Sequence, residues 1–395
     1  MASGSARHCV VIGAGVVGAS IAARLAAIDG VRVTLLDADR PGHANATSPW
    51  SFAWLNSNDK APRHYHDLNH AGMKAWADLA LDLDGAAWYR PAGHLEVATT
   101  EAARDRLATR VRRLTGWGYP ARLIGAAEAS ALEPSLRPFP GAMIAWFGAE
   151  GYLLTEPLID RLVDFAVSRG AVLMTGDQGR VTGIDAARVR TAAGESLASD
   201  DIVLAAGRWT PGLAAMAGAG SQVPLAEWDT PGATAPGLVV RVGPVAVASG
   251  PVRVLHVPGL SLRPHSGGLA QLEAPDAAVD LHTADAGLRR WAGELLRRAR
   301  DTIGGLDHAQ VVGYRACVRP MPADGQSIVG RLPGAETCYV AVTHSGVTLA
   351  AHLARLIAAD LTGAPPPELT PYRPARFRTT APAPSPPDQP GVSGG

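Results

Sequence analysis

Residues 9–27 read CVVIGAGVVGASIAARLAA: apolar strand formers, a glycine turn and a small-residue helix in direct succession. No other stretch restricts the fold as much. Gly13 permits the tight turn, Gly15 lets the backbone approach a pyrophosphate, and Gly18 allows the helix to pack closely on the sheet. The helix N-terminus then presents its positive dipole end to the phosphates. The next strand-like run, VRVTLLDAD, brings Asp37 to a strand end 19 residues after Gly18. A carboxylate there can accept hydrogen bonds from ribose hydroxyls. The expectation is an α/β chain with a Rossmann-like parallel sheet that binds a dinucleotide. The glycines do not choose between NAD and FAD.

At 395 residues the chain is too long for one ordinary domain. Its 47% hydrophobic and 18% charged residues suit a globular protein with a large core. Zero net charge gives no basis for binding nucleic acid or a charged membrane surface. No apolar run is long enough to span a bilayer. The leader MASGSARH has no apolar signal core, so a reducing cytoplasm is expected. Cys9, Cys317 and Cys338 are too scattered for a disulfide framework. His66 and His70 are one helical turn apart near His64, but no third ligand accompanies them, so no metal site is expected. Lysine is almost absent, which singles out Lys60 and Lys74.

Helices are expected over 62–83 and 101–114, with a strand in GHLEVATT between the two glycine- and threonine-marked turns. Thr155-Glu156-Pro157 starts another helix. The strand DIVLAAG stops at Gly207. Alternating runs such as GLVVRV and GLSLRP over 223–282 suit an antiparallel sheet. An amphipathic helix follows, with Thr283 as its N-cap, and a last helix begins after Ser345. The tail 379–395 is Pro- and Gly-rich and expected to be disordered.

Five landmarks in order, VVIGAGVVGASIAARLA, SPWSFAWLNSN, DIVLAAGRWT, RPMPADGQSIVG and YVAVTHSGVTLA, resemble FAD-dependent oxidoreductases of the D-amino-acid oxidase family. That family includes glycine oxidase, sarcosine oxidase and D-amino-acid dehydrogenases. The resemblance spans about residues 9–377. It implies a discontinuous FAD domain from 1–85, 150–222 and 313–378. An inserted α+β substrate domain with a mixed or antiparallel sheet would come from 86–149 and 223–312. The activity implied is oxidation of the C–N bond of an amino acid or secondary amine to an imine, with hydride passing to flavin N5. Electrons would then go to oxygen or another acceptor. A flavin-dependent 2-hydroxy-acid dehydrogenase and an NAD(P)-dependent dehydrogenase stand as alternatives.

The same resemblance implies roles for particular residues. Thr47, Ser48 and Ser51 match positions touching the pyrophosphate and flavin, Val181 one that meets the adenine, and Gly207 the end of the DIVLAAG landmark. At the last helix, the N–H groups of Gly346, Val347 and Thr348, with Ser345 as cap, would stabilise negative charge on the reduced flavin. Arg319 matches the arginine that forks onto a substrate carboxylate; a structural salt bridge is the competing reading. Cys317 stands where sarcosine oxidase links covalently to its flavin, or is a small buried hydrophobe. Two lysines of sarcosine oxidase are missing: Ala350 occupies one place and Gln271 the nearest equivalent of the other, in the substrate pocket. Lys60 is a substitute cation or a solvated loop residue. His344 adjoins the flavin contact, and Trp54 belongs to an aromatic group that is either cage or core.

Overall fold

Five of the six residues of Arg7–Ile12 are buried, and a strand covered on both faces belongs in the middle of a sheet. The computed structural model, which describes residues 6–43 and 45–378, places it there. The six-stranded sheet runs Ile328–Leu332, Ala335–Val342, Asp201–Leu204, Arg7–Ile12, Val31–Asp37, Val172–Thr175. Every pair is parallel except the edge pair formed by the first two. Strand order reverses at Arg7–Ile12, which opens a crevice beyond its carboxyl end.

Helix Val16–Ala26 leaves that edge and packs on helices Thr155–Ser168 and Gly346–Leu361. The close approach is steric: a Cβ on Gly18 would lie 1.8 Å from the Gly13 carbonyl oxygen. Gly13 itself sits at φ +105°, where a Cβ would meet the Ala205 carbonyl oxygen at 2.6 Å. Both positions therefore demand glycine.

The second large sheet has eight strands, in the order Gln310–Val318, Pro236–Gly243, Leu269–Glu273, Leu260–His265, Val254–Val257, His94–Ala98, Met143–Phe147, Ala121–Ile124. It is antiparallel apart from the parallel pairing of Val254–Val257 with His94–Ala98. Its residues alternate strictly. Leu238, Val240, Val242, Leu255, Leu262 and Leu272 form one face. They pack with Ala292, Leu295, Leu296 and Ala299 of helix Asp285–Thr302. Each large apolar side chain buried there contributes about 1.5–3 kcal/mol. The other face carries Arg241, Gln271, Glu273, Ser261, Arg263, His256, His94 and Glu96, and it turns inward toward the six-stranded sheet.

Two small sheets complete the fold. Val181–Asp185, Arg188–Thr191 and Ser196–Ala198 form one, and Trp54–Leu55, Gly151–Leu153 and Tyr89–Arg90 the other. No helix among the described residues is long and apolar enough to cross a membrane.

One local expectation is corrected. The helix expected from Thr283 begins at Asp285 with Ala284 as cap, because the Thr283 hydroxyl is bonded to Asp280 instead. The boundary drawn at 313 falls inside strand Gln310–Val318, which pairs along its length with Pro236–Gly243. Residues 313–318 thus belong to the eight-stranded sheet. The tail 379–395 lies outside the described residues.

Gly18→Val is expected to lower stability by about 1–3 kcal/mol, the cost of overpacking a close contact. A urea melt with an unchanged midpoint would show that the helix can step back from Gly13 freely.

Candidate active site

Between the carboxyl edge of the six-stranded sheet and the inward face of the eight-stranded one lies a cavity of about 1440 Å³. Small-ligand clefts are commonly about 300–1,000 Å³, so this one has room for more than one small molecule.

Its first end is the glycine turn. Gly13, Gly15, Asp37 and Val181 line it together. Asp37 Oδ2 accepts from the Ala14 N–H at 2.7 Å and Oδ1 from the Asp39 N–H at 3.0 Å. Each oxygen keeps a lone pair for a ribose hydroxyl. Burial raises the Asp37 pKa, and these backbone donors oppose the shift. The Ser48 hydroxyl accepts from the Val16 N–H at 3.1 Å and so serves the first turn of the helix. Gly18 packs behind this turn and does not line the cavity.

The middle is walled by residues 47–54. The Thr47 hydroxyl donates to the Val318 carbonyl at 2.7 Å, and Cys317 Sγ donates to the Thr47 carbonyl at 3.6 Å. Burial pushes the Cys317 thiol up to about 11, against the pull of Arg208 and Arg315. Ser51 accepts from the Ala53 N–H at 3.1 Å. Gly207, at φ +57°, closes the opposite wall.

Arg263 fastens this loop to the sheet. Only 1% exposed, it donates through Nε to the Phe52 carbonyl, through Nη1 to Pro264 O at 2.9 Å and through Nη2 to Gln271 Oε1 at 3.1 Å. Gln271 in turn donates to the Ser51 carbonyl at 2.6 Å. Gln271 was expected in the substrate pocket. It is fully buried, with both ends of its amide engaged, and does not line the cavity.

At the far end, Ser345, Gly346, Val347 and Thr348 start helix Gly346–Leu361. Ser345 occupies the cap position, but its hydroxyl makes no capping bond: it accepts from the Tyr65 hydroxyl at 3.1 Å. Thr348 donates to the Trp54 carbonyl at 3.2 Å. The helix start meets the cavity without a capping side chain, so its dipole end is available there.

Of the cations that line the cavity, Arg110 and Arg180 are paired with carboxylates, and Arg319 and Lys60 make no ion pair with any described residue. Arg319 is held by the carbonyls of Ala235 at 3.1 Å and Thr234 at 2.8 Å. His344 lies within reach of both charges. The surrounding walls first, then Lys60 and Arg319, hold its pKa down, leaving a neutral imidazole.

In the eight-stranded sheet, strand register sets Glu273 beside Ser261, Ser261 beside His256, and His256 beside Glu96. All four line the cavity. Burial pushes Glu273 up to about 7, with Arg319 and Arg263 opposing. The Glu96 carboxylate is paired with Arg110. Behind this row, Glu150 accepts from Tyr119 at 2.6 Å and from Trp54 and Asn58 at 3.0 Å each. Trp54 thus spends its N–H on Glu150 while its ring packs 4.4 Å from that of His256.

Sequence reasoning did not find Arg263, Glu273, Ser261, His256, His94 or Glu150. The only signal was the polar half of the alternation in HVPGLSLRPHSGGLAQLEA. In a lone sheet that half faces water.

The glycine turn, the spare lone pairs of Asp37, the long cavity and the uncapped helix start together fit an extended dinucleotide. Residues 8–360 match the family model described as FAD dependent oxidoreductase. An uncharacterized oxidoreductase of Bacillus subtilis (strain 168) is 26% identical over 393 residues, covering 93% of this chain and 98% of the relative. Glycine oxidase of Geobacillus kaustophilus (strain HTA426) is 26% identical over 274 residues, covering 68% and 69%. Among solved structures, glycine oxidase from Geobacillus kaustophilus superposes with a TM-score of 0.78 at 22% identity, covering 93% of this chain and 98% of that one. L-proline dehydrogenase from P. horikoshii has a TM-score of 0.78 at 19% identity, covering 94% and 97%. These structures share the fold. The cofactor is FAD, which sets aside the nicotinamide alternative. The chain belongs to the DAO family of FAD-dependent oxidoreductases.

Proposed function

We propose that this enzyme oxidises the C–N bond of an amino acid, or of a secondary amine bearing a carboxylate, to an imine. The observation that carries this reading is the polarity of the cavity. Arg319 and Lys60 line it without an ion pair to any described residue, and Glu273, Ser261 and His256 line it too. A zwitterion would find in that one space a cation for its carboxylate and a carboxylate for its ammonium group.

Gly13, Gly15 and Asp37 would hold the adenosine and pyrophosphate of FAD, and Thr47, Ser48, Ser51 and the N–H groups of Gly346 to Thr348 the flavin half. When bound, FAD supplies the acceptor for the hydride leaving the substrate carbon. The protein's own part is to bind and orient. Arg319 keeps Nη1 free while three backbone carbonyls fix its plane, so it can grip a carboxylate in one orientation. Neutral His344 can add a hydrogen bond at that end. On the amine side Glu273 accepts hydrogen bonds from the nitrogen. A 2-hydroxy acid would satisfy Arg319 equally but would bring no positive charge to Glu273, which is why the amine is favoured. Relatives described as D-amino acid dehydrogenase and glycine oxidase support the same class.

The test is a reductive titration of the purified holoenzyme without air. Glycine, sarcosine, D-alanine and L-proline form the amine panel, and glycolate and lactate are the controls. At least one amine should bleach the visible flavin band while the hydroxy acids leave it intact. Bleaching by the hydroxy acids alone would reverse the assignment. Admitting air then separates an oxidase from a dehydrogenase.

Arg319→Ala is expected to weaken apparent affinity for carboxylated substrates about 10–100-fold, from about 1.5–3 kcal/mol for a charge-assisted hydrogen bond. Unchanged KM for every such substrate would remove Arg319 from the carboxylate site.

Burial holds Cys317 as a thiol, whereas a thioether requires the thiolate. Acid precipitation should therefore release the yellow cofactor into the supernatant. A yellow pellet that turns white in Cys317→Ala would overturn this and establish a covalent link.

A further inference from the structure

The cavity row contains a residue with a buried chain of partners behind it. His256 Nδ1 lies 2.7 Å from His94 Nε2, and His94 Nδ1 lies 3.0 Å from Glu150 Oε2. His94 and Glu150 are completely buried, whereas His256 is in the cavity wall. The imidazole of His94 stacks on Phe147 at 5.0 Å, and His256 is wedged against Trp54 and Phe52.

Tyr119, Trp54 and Asn58 all donate to Glu150, which suits an acceptor-only carboxylate. With Glu150 in that form, the contact at 3.0 Å is made by a proton on His94 Nδ1, with the Asn58 amide nitrogen a more distant neighbour at 3.4 Å. His94 Nε2 is left as an acceptor, which requires His256 to carry its proton on Nδ1. The remaining nitrogen, His256 Nε2, has an open lone pair and makes no hydrogen bond with any described residue. The chain of bonds has one direction, and it delivers a base to the cavity.

We propose that His256, backed by His94 and Glu150, takes the ammonium proton of the bound amino acid. This rests on the amine reading above. An N–H bond of the substrate breaks, its electron pair stays on nitrogen, and the proton goes to His256 Nε2. The Nδ1 proton of His256 passes to His94 Nε2, and the Nδ1 proton of His94 to Glu150 Oε2. One proton has moved from substrate to carboxylate, and both imidazoles end neutral with exchanged tautomers. The lone pair left on nitrogen is what lets the neighbouring C–H leave as hydride.

A lone buried imidazole would be a poor base, because its protonation creates an isolated cation. Burial accordingly depresses His94 and His256 and raises Glu150 to about 7. As a unit the three groups go from one negative charge to none, and the proton belongs to the set rather than to one member. The other charges facing the set are Glu96 and Arg110, paired with each other, and Asp59, 3.7 Å from Arg110. Tyr119 touches it too, with His66 and His70 packed on its ring and both depressed by burial. Two strands along the same face stands Glu273.

Glu150→Gln keeps the shape of the network and removes its charge. In stopped-flow reduction of the holoenzyme by the responsive amino acid, the acidic limb of the rate profile should move upward by about 1–3 pH units. Rates above that limb should recover. His256→Ala should show the same displaced limb, with the rate at neutral pH restored by added imidazole. A purely structural role would lower the rate equally at every pH and resist rescue. A second readout needs no turnover. In ¹⁵N-histidine-labelled protein free of cofactor, His94 and His256 should both show the Nδ1–H tautomer with unprotonated Nε2, and Glu150→Gln should abolish that pattern. The opposite tautomer at His256, or an unmoved limb in Glu150→Gln, overturns the relay alone. A wild-type enzyme that responds to no amino acid overturns the reading beneath it.

Discussion

Arg263 is the contact on which the cavity depends. It is a buried cation without an acidic partner among the described residues, compensated by the carbonyls of Phe52, Pro264 and, at longer range, Ser51, and by the side chain of Gln271. Its guanidinium also lies over the rings of Tyr152 and Phe52, 5.2 and 5.9 Å from their centroids. Burial lowers its pKa to about 10, so it remains charged at neutral pH. The bonds it makes cross from the eight-stranded sheet to the loop that follows the second strand of the six-stranded sheet. They hold Ala53 at φ +57°, a conformation that costs a residue with a Cβ about 1–2 kcal/mol. Arg241 adds a second link, to Glu156 at 2.7 Å and to the Pro49 carbonyl. With the two sheets joined this way, the glycine turn and the polar row face each other across one space.

That space holds charges of both signs. The uncapped helix start on the side of the six-stranded sheet favours anionic groups. Arg319 and Lys60 line the space, and the polar row of the eight-stranded sheet adds carboxylates and imidazoles. Burial makes the second group adjustable: it raises Glu273 and Glu150 and lowers the histidines, bringing both kinds toward neutral forms. A solvent-facing set of the same residues would sit at ordinary values and would be screened by water.

Much of the fold was legible. The glycine run, Asp37 and the alternation after residue 223 each act through neighbours close in sequence, so their consequences can be read locally. Arg319 and Lys60 were singled out from the sequence, and both line the cavity. The misreadings came from competition for hydrogen bonds. Thr283 and Ser345 are good caps in isolation, but Asp280 and Tyr65 claim their hydroxyls. Gln271 lies on the correct face of its strand, yet Arg263 and Ser51 take its amide. The Glu150–His94–His256 chain was invisible, since its links join residues 56 and 162 positions apart.

By itself the sequence determined the dinucleotide turn, the order of elements, the cofactor class by likeness, and which strand residues share a face. Steric limits on glycine and the two-residue period of a strand are local rules, and they hold wherever the segment ends up. Only the tertiary structure decided that the polar face of the eight-stranded sheet is enclosed instead of hydrated. Enclosure is a property of what packs opposite, and here it is the six-stranded sheet, drawn close through Arg263. That packing removes water from Glu273, Glu150, His94 and His256, and dehydration raises the two carboxylates to about 7 and lowers the two imidazoles.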